Sequence, residues 1–92
     1  MADRPDIDES LLEFPCEFPV KILGRADEDF VAVVIEIVRR HAPGMEADRV
    51  STRSSRDGNF VAVTCTIIAD SRGQLDALYE ELSAHERVLM AL

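Results

Sequence analysis

The sequence predicts an α+β domain of six elements in the order strand, helix, strand, strand, helix, strand. Three observations carry this. Two segments place apolar residues at helical spacing behind N-terminal capping signals. Two others alternate with period two, and one of these is apolar on both faces. Between the middle strands, Asp57-Gly58 marks a hairpin turn. Two right-handed βαβ crossovers joined by that hairpin make a ferredoxin-like βαββαβ sandwich. Its four-stranded antiparallel sheet runs in the order 4-1-3-2, with both helices on one face.

Each element has its own local reason. Phe18 to Leu23 reads as the first strand, with Phe18, Val20 and Ile22 on one face. Pro19 cannot donate to a ladder, so pairing is expected to begin after it, and Gly24 to end it. The first helix is expected from about Glu28 to Ala42, capped by Asp27 and stopped by Pro43-Gly44. Phe30, Val33, Val34, Ile37, Val38 and His41 share its core face, and Arg39 to His41 suit the negative end of its dipole. Residues 47–55 form a polar edge strand whose one large apolar residue is Val50. Phe60 to Ile68 is apolar on both faces, which places it in the middle of the sheet. Ser71 with Gln74 forms a capping box that opens the second helix, burying Leu75, Leu78, Tyr79 and Leu82. Arg87 to Leu92 is the last strand, with Val88, Met90 and Leu92 on one side.

The 92 residues make one domain, over 11–92, behind a flexible acidic tail at 1–10 that Leu11, Leu12 and Phe14 pin down. A chain this short buries only about 60–65% of its unfolded surface, so it has no deep interior for an active site. The net charge of −8 disfavours nucleic acid and anionic membranes. No apolar stretch spans a bilayer and the N-terminus has no signal-peptide core, so the expected compartment is the cytoplasm. Cys16 and Cys65, without a CxxC pair, read as reduced and metal-free.

The run LLEFPCEFPVKILGRA, followed by VRRHAPG, SSRDGN, LYEEL and the closing VLMAL, resembles the YbeD-like family of small bacterial proteins. The resemblance covers about Leu11 to Leu92 with the segments in order. It implies the same βαββαβ fold, similar to ACT-type regulatory domains that bind small effectors such as amino acids. In those domains a glycine after the first strand lets an effector reach backbone N–H groups. Gly24 matches it by position, which makes Gly24 and Arg25 a candidate effector loop.

The remaining chemistry is sparse. The outer face of the third strand offers Phe60, Ala62, Thr64, Thr66 and Ile68, a single aromatic without basic neighbours along the strand, and so a poor platform for RNA. The loop after the first strand sets Asp27, Glu28 and Asp29 beside Arg25, which repels a phosphate. His41 is the one candidate functional histidine. It lacks a visible nucleophile or second acid, and reads as an imidazole bonded to the last helical carbonyls. His85 reads as an exposed loop residue. No catalytic, cofactor or metal site is expected. Two helices cover only one face of the sheet, so Phe60 and Ile68, with Leu23 and Leu89 on neighbouring strands, form the candidate interaction face. The Val31–Ile35 flank of the first helix is the next candidate. The expected function is a non-enzymatic binding or regulatory module that self-associates as a homodimer or docks a protein through its sheet. The alternative is an effector-binding domain using the Gly24 loop.

Overall fold

The computed structural model describes residues 12–92, so the expected tail at 1–10, and Leu11 beside it, lie outside the described residues. The elements are β1 (Cys16–Arg25), α1 (Phe30–His41), β2 (Val50–Ser54), β3 (Phe60–Ala69), α2 (Arg72–Ala84) and β4 (Val88–Ala91), with a short 3-10 turn at Ala47–Arg49. The sheet order is β2-β3-β1-β4, the expected topology, and every pairing is antiparallel.

β1 is longer than the sequence predicts at both ends. Pro19 sits inside it, opposite Thr66 of β3. The register explains why this is tolerated. Lys21 exchanges both backbone hydrogen bonds with Leu92 on the β4 side, so the nitrogen of Pro19, two residues away, points to that side too. No β4 residue lies opposite Pro19, and no ladder bond is lost there.

Gly24 does not end the strand; it is a buried member of it. A Cβ at residue 24 would lie 2.2 Å from the Phe30 ring and 2.8 Å from the Arg87 carbonyl oxygen. The missing side chain lets α1 begin directly beneath β1 and lets β4 approach from the side. The β1–β4 register slips between Leu23 and Gly24: Leu23 faces Met90, while Gly24 faces Val88. This bulge corrects the expected faces of the last strand. Val88 and Ala91 pack on the core, and Met90 turns to the opposite face.

α1 starts two residues later than expected, with Asp29 in the N-cap position and no side-chain cap. The carboxylates of Asp27 and Asp29 instead hold Arg87, at 3.3 and 2.6 Å. Capping was traded for a tie between the start of α1 and the approach to β4. At the other helix, Ser71 Oγ accepts from the Gln74 N–H as expected. The Gln74 side chain closes the box on the Asp70 N–H and donates from its amide nitrogen to the His41 carbonyl, 2.7 Å away. It thereby joins the end of α1 to the start of α2.

The core lies between sheet and helices. Val20, Ile22, Val63, Cys65 and Ile67 from the sheet meet Phe30, Val34, Ile37, Val38, Leu75, Leu78 and Leu82 from the helices, all essentially without solvent contact. Cys16 and Cys65 are both free. Cys65 stands opposite Val20, four residues from Cys16 along β1. That offset is about 13 Å, beyond disulfide reach. Burial pushes the Cys65 thiol up to about 11. Among the described residues, no helix is long and apolar enough to cross a membrane.

Two outcomes follow. Gly24→Ala is expected to destabilise the domain by about 1–3 kcal/mol through overpacking. Phe30→Leu in the same chain should relieve part of that loss, a coupling that a double-mutant cycle in urea reads directly. In alkylation at pH 8, the half-buried Cys16 should react first, and Cys65 only at the rate of global unfolding. Equal rates at the two thiols would contradict the burial of Cys65.

Candidate docking face

The face of the sheet away from the helices is built by alternation. Val20, Ile22 and Gly24 of β1 point into the core, so Lys21, Leu23 and Arg25 point out. On β3, Val61 to Ala69 at odd positions are buried, so Phe60, Ala62, Thr64, Thr66 and Ile68 point out. Register then sets the neighbours. Met90, Leu23, Ala62 and Arg53 form one row across the four strands. Arg25 and Phe60 pair in the next position, and Lys21 with Thr64 and Ser51 in the position on the other side.

This corrects the expected patch. Leu23 and Phe60 do come together, around a hollow of about 200 Å³ shared with Ala62 and Arg53. Met90, 49% exposed, extends it beyond Leu23. Ile68 does not belong to it. Eight residues separate it from Phe60, about 26 Å along the strand, and it borders a different cleft. Leu89 is displaced by the bulge to a hollow beside Arg25, Asp27 and Arg87. Met90 was missed because its outward direction depends on that bulge.

The charge of the face also differs from the reading that Phe60 lacks basic neighbours. The Arg25 guanidinium lies over the Phe60 ring, 5.6 Å from its centroid, an exposed cation–π contact worth about 0.5–1 kcal/mol. Arg53 and Lys21 stand on the same face. The basic neighbours come from the adjacent strands, not from β3 itself. A sequence signal existed, in that Lys21, Leu23 and Arg25 share one parity.

The candidate effector loop is otherwise engaged. Gly24 is buried against Phe30 and paired in both ladders, and Arg25 is stacked on Phe60. Arg25 also borders the hollow at the end of β1, with Asp27, Glu86, Arg87 and Leu89, and Gly24 is not among the residues that line it.

His41 has a partner that sequence reasoning did not find. Its Nε2 lies 2.7 Å from Glu81 Oε1 on α2, rather than on the carbonyls of its own helix. The last of those carbonyls accept from other groups: the Ala42 N–H bonds Val38, and Gln74 bonds His41. Glu81 also holds the Arg40 guanidinium, through Nε at 3.0 Å and through Nη2. These two contacts, Arg40 first and His41 second, keep the Glu81 carboxyl below its ordinary value of 4.5. His41 borders a cleft of about 380 Å³ between the α1–β2 connection and the stretch of β3 beyond Cys65, where β2 no longer pairs. The polar side chains lining that cleft are His41, Glu46, Arg49, Thr66, Asp70 and Gln74. The described residues contain no group of three His, Cys, Asp or Glu arranged to hold a metal.

Comparison with known proteins places this architecture. The model of a family described as a protein of unknown function, DUF493, matches residues 9–92. The chain belongs to that family. A UPF0250 protein of Nitrosomonas europaea is 46% identical over 92% of this chain and 98% of its own. A second, from Pseudomonas paraeruginosa, is 43% identical over the whole of both. These are the YbeD-like proteins that the sequence segments resemble. The solution structure of protein HP0495 from H. pylori shares the fold, with a TM-score of 0.68 at 10% identity over all of this chain and 98% of that one.

The Arg40–Glu81–His41 cluster makes a pH-dependent prediction. A carboxyl lowered in the folded state stabilises the fold above its unfolded value, and that stabilisation fades as pH falls through the folded value. Glu81→Gln is therefore expected to lower stability by about 0.5–1 kcal/mol at pH 7. The difference from the parent should shrink below pH 4. Thermal melts across pH 3–7 would show it, and a constant difference down to pH 3 would assign the loss to packing instead.

Proposed function

We propose that the protein is a non-enzymatic binding module, regulatory in role and cytoplasmic, that docks a partner protein on the open face of its sheet. The observation that carries this reading is the local clustering of Leu23, Phe60 and Ala62 around one shallow hollow on the face without helices, with Met90 beside Leu23. Single exposed apolar residues need no explanation. Leu23, Ala62 and Met90 in one row across adjacent strands, with the half-buried Phe60 in the next position beside a preset arginine, form a surface that gains by being covered. The hollow is shallow and open, which suits an extended macromolecular contact better than enclosure of a small molecule. The Gly24 loop supports the effector-binding alternative less well, because its glycine is filled by Phe30.

The test maps the surface directly. Backbone amide spectra of the isotopically labelled protein are compared in buffer and in clarified bacterial extract. Shifts or broadening are expected at Leu23, Ala62, Thr64 and Met90, with the outer amides of α1 and α2 unchanged. Leu23→Ser with Phe60→Ser should abolish the changes, and Ile68→Ser at the far end of β3 should not. Changes confined to the His41 cleft or to the Val31–Ile35 flank would move the docking surface there.

A further inference from the structure

The partner's chemistry follows from where the unpaired charge sits. Arg4 lies outside the described residues. Of the other cations, Arg40, Arg49, Arg72 and Arg87 form ion pairs, and Arg39 donates to the Met45 carbonyl. Lys21, Arg25, Arg53 and Arg56 make no ion pair among the described residues, and all four are exposed. The first three project from the open sheet face around the Leu23–Phe60 hollow, and Arg56 lies in the hairpin that borders it. Among the described residues, Glu17 shares this face and is held by Arg49, Asp57 stands beside Arg56 in the hairpin, and Asp27 and Glu86 border a hollow with Arg25 beyond the end of β1. A chain with a net charge of −8 thus presents a cationic surface on one side.

Resting on the docking reading, we infer that this face binds an acidic, extended protein segment, with an apolar side chain in the hollow and carboxylates on Lys21, Arg25 and Arg53. Screening makes the local charge decisive. The Debye length is about 8 Å at physiological salt, and the domain is 21 Å across its shortest dimension. A partner in contact with the sheet therefore meets these cations, and the carboxylates beyond the helices are largely screened. Stacking on Phe60 keeps Arg25 on the face, which lowers the ordering cost of a bidentate carboxylate contact.

The patch also discriminates among occupants. From Lys21 to Arg25 is about 13 Å along β1, the reach of a few residues of extended peptide. Single-stranded nucleic acid engages about 4–16 nucleotides in a typical groove, with several stacking aromatics, and here one aromatic is available before the strand would meet acidic surface. A second copy packed face to face would bring its own Lys21, Arg25 and Arg53 against these, a like-charge contact.

The probe is a fluorescein-labelled twelve-residue peptide with six Asp or Glu residues, one Leu and one Phe, followed by anisotropy at 50 and 300 mM salt. The comparison probes are the same peptide with Lys in place of the acids, and a twelve-nucleotide oligothymidylate. The acidic peptide is expected to bind at least tenfold more tightly than either, and at least tenfold more weakly at the higher salt. Lys21→Glu with Arg25→Glu and Arg53→Glu should abolish binding. Lys21→Gln with Arg53→Gln, which keeps the Arg25–Phe60 stack, should weaken it several-fold in a chain that melts like the parent. Arg72→Glu on the helix side should change nothing. Absence of acidic-peptide binding, a folded triple variant that still binds, tighter binding of the oligonucleotide, or a dimer dissolved by the triple substitution would each overturn the inference. If Leu23→Ser with Phe60→Ser removes the extract-induced shifts and charge reversal does not, the docking face stands and its acidic partner falls.

Discussion

The volume that residue 24 does not fill organises this small domain. The Phe30 ring and the Arg87 carbonyl both approach to distances that a Cβ would forbid. The first contact seats the start of α1 beneath the central strand. The second brings β4 alongside, and the ladder slips by one residue at that point. The slip turns Val88 inward and Met90 outward, so one close approach helps to complete the core and also places an apolar side chain on the open face. Arg87 is held from the other side by Asp27 and Asp29. The start of α1, the end of β1 and the start of β4 therefore form one structural corner.

A second corner ties the opposite ends of the helices. Gln74 serves the cap of α2 and the carbonyl of His41, while Glu81 receives both His41 and Arg40. Each polar group serves two elements, an economical arrangement in a domain with little interior. The two corners hold Arg87 and Arg40, while Lys21, Arg25 and Arg53 on the open face make no ion pair among the described residues. The separation of charge between the faces is thus a consequence of how the helices are anchored, as well as of which residues the strands carry.

Much of this was legible along the chain because it depends on local periodicity. The helical face of Phe30, Val34, Ile37 and Val38, the double-sided apolar run of β3, the Ser71–Gln74 cap and the Asp57-Gly58 hairpin each follow from residues within a few positions of one another. Strand order followed from handedness and from the apolarity of β3. Pairing through Pro19 was not legible, since its tolerance depends on where β4 partners run out. Nor was the withdrawal of Asp27 and Asp29 from capping, since Arg87 lies about sixty positions away in sequence.

The same distinction governs the candidate site. The sequence by itself determined that Leu23, Phe60 and Ile68 face away from the helices and that Lys21 accompanies Leu23, because side chains alternate along a strand. Only the tertiary structure decided which of these meet. The spacing along β3 already kept Ile68 from Phe60, whereas antiparallel register joined Arg25 and Arg53 to Phe60 from two other strands and a bulge exchanged Leu89 for Met90. Likewise, His41 gained Glu81 only because α1 and α2 pack side by side. Periodicity within one segment fixes direction, whereas neighbours across segments are set by register and packing, which no single segment encodes.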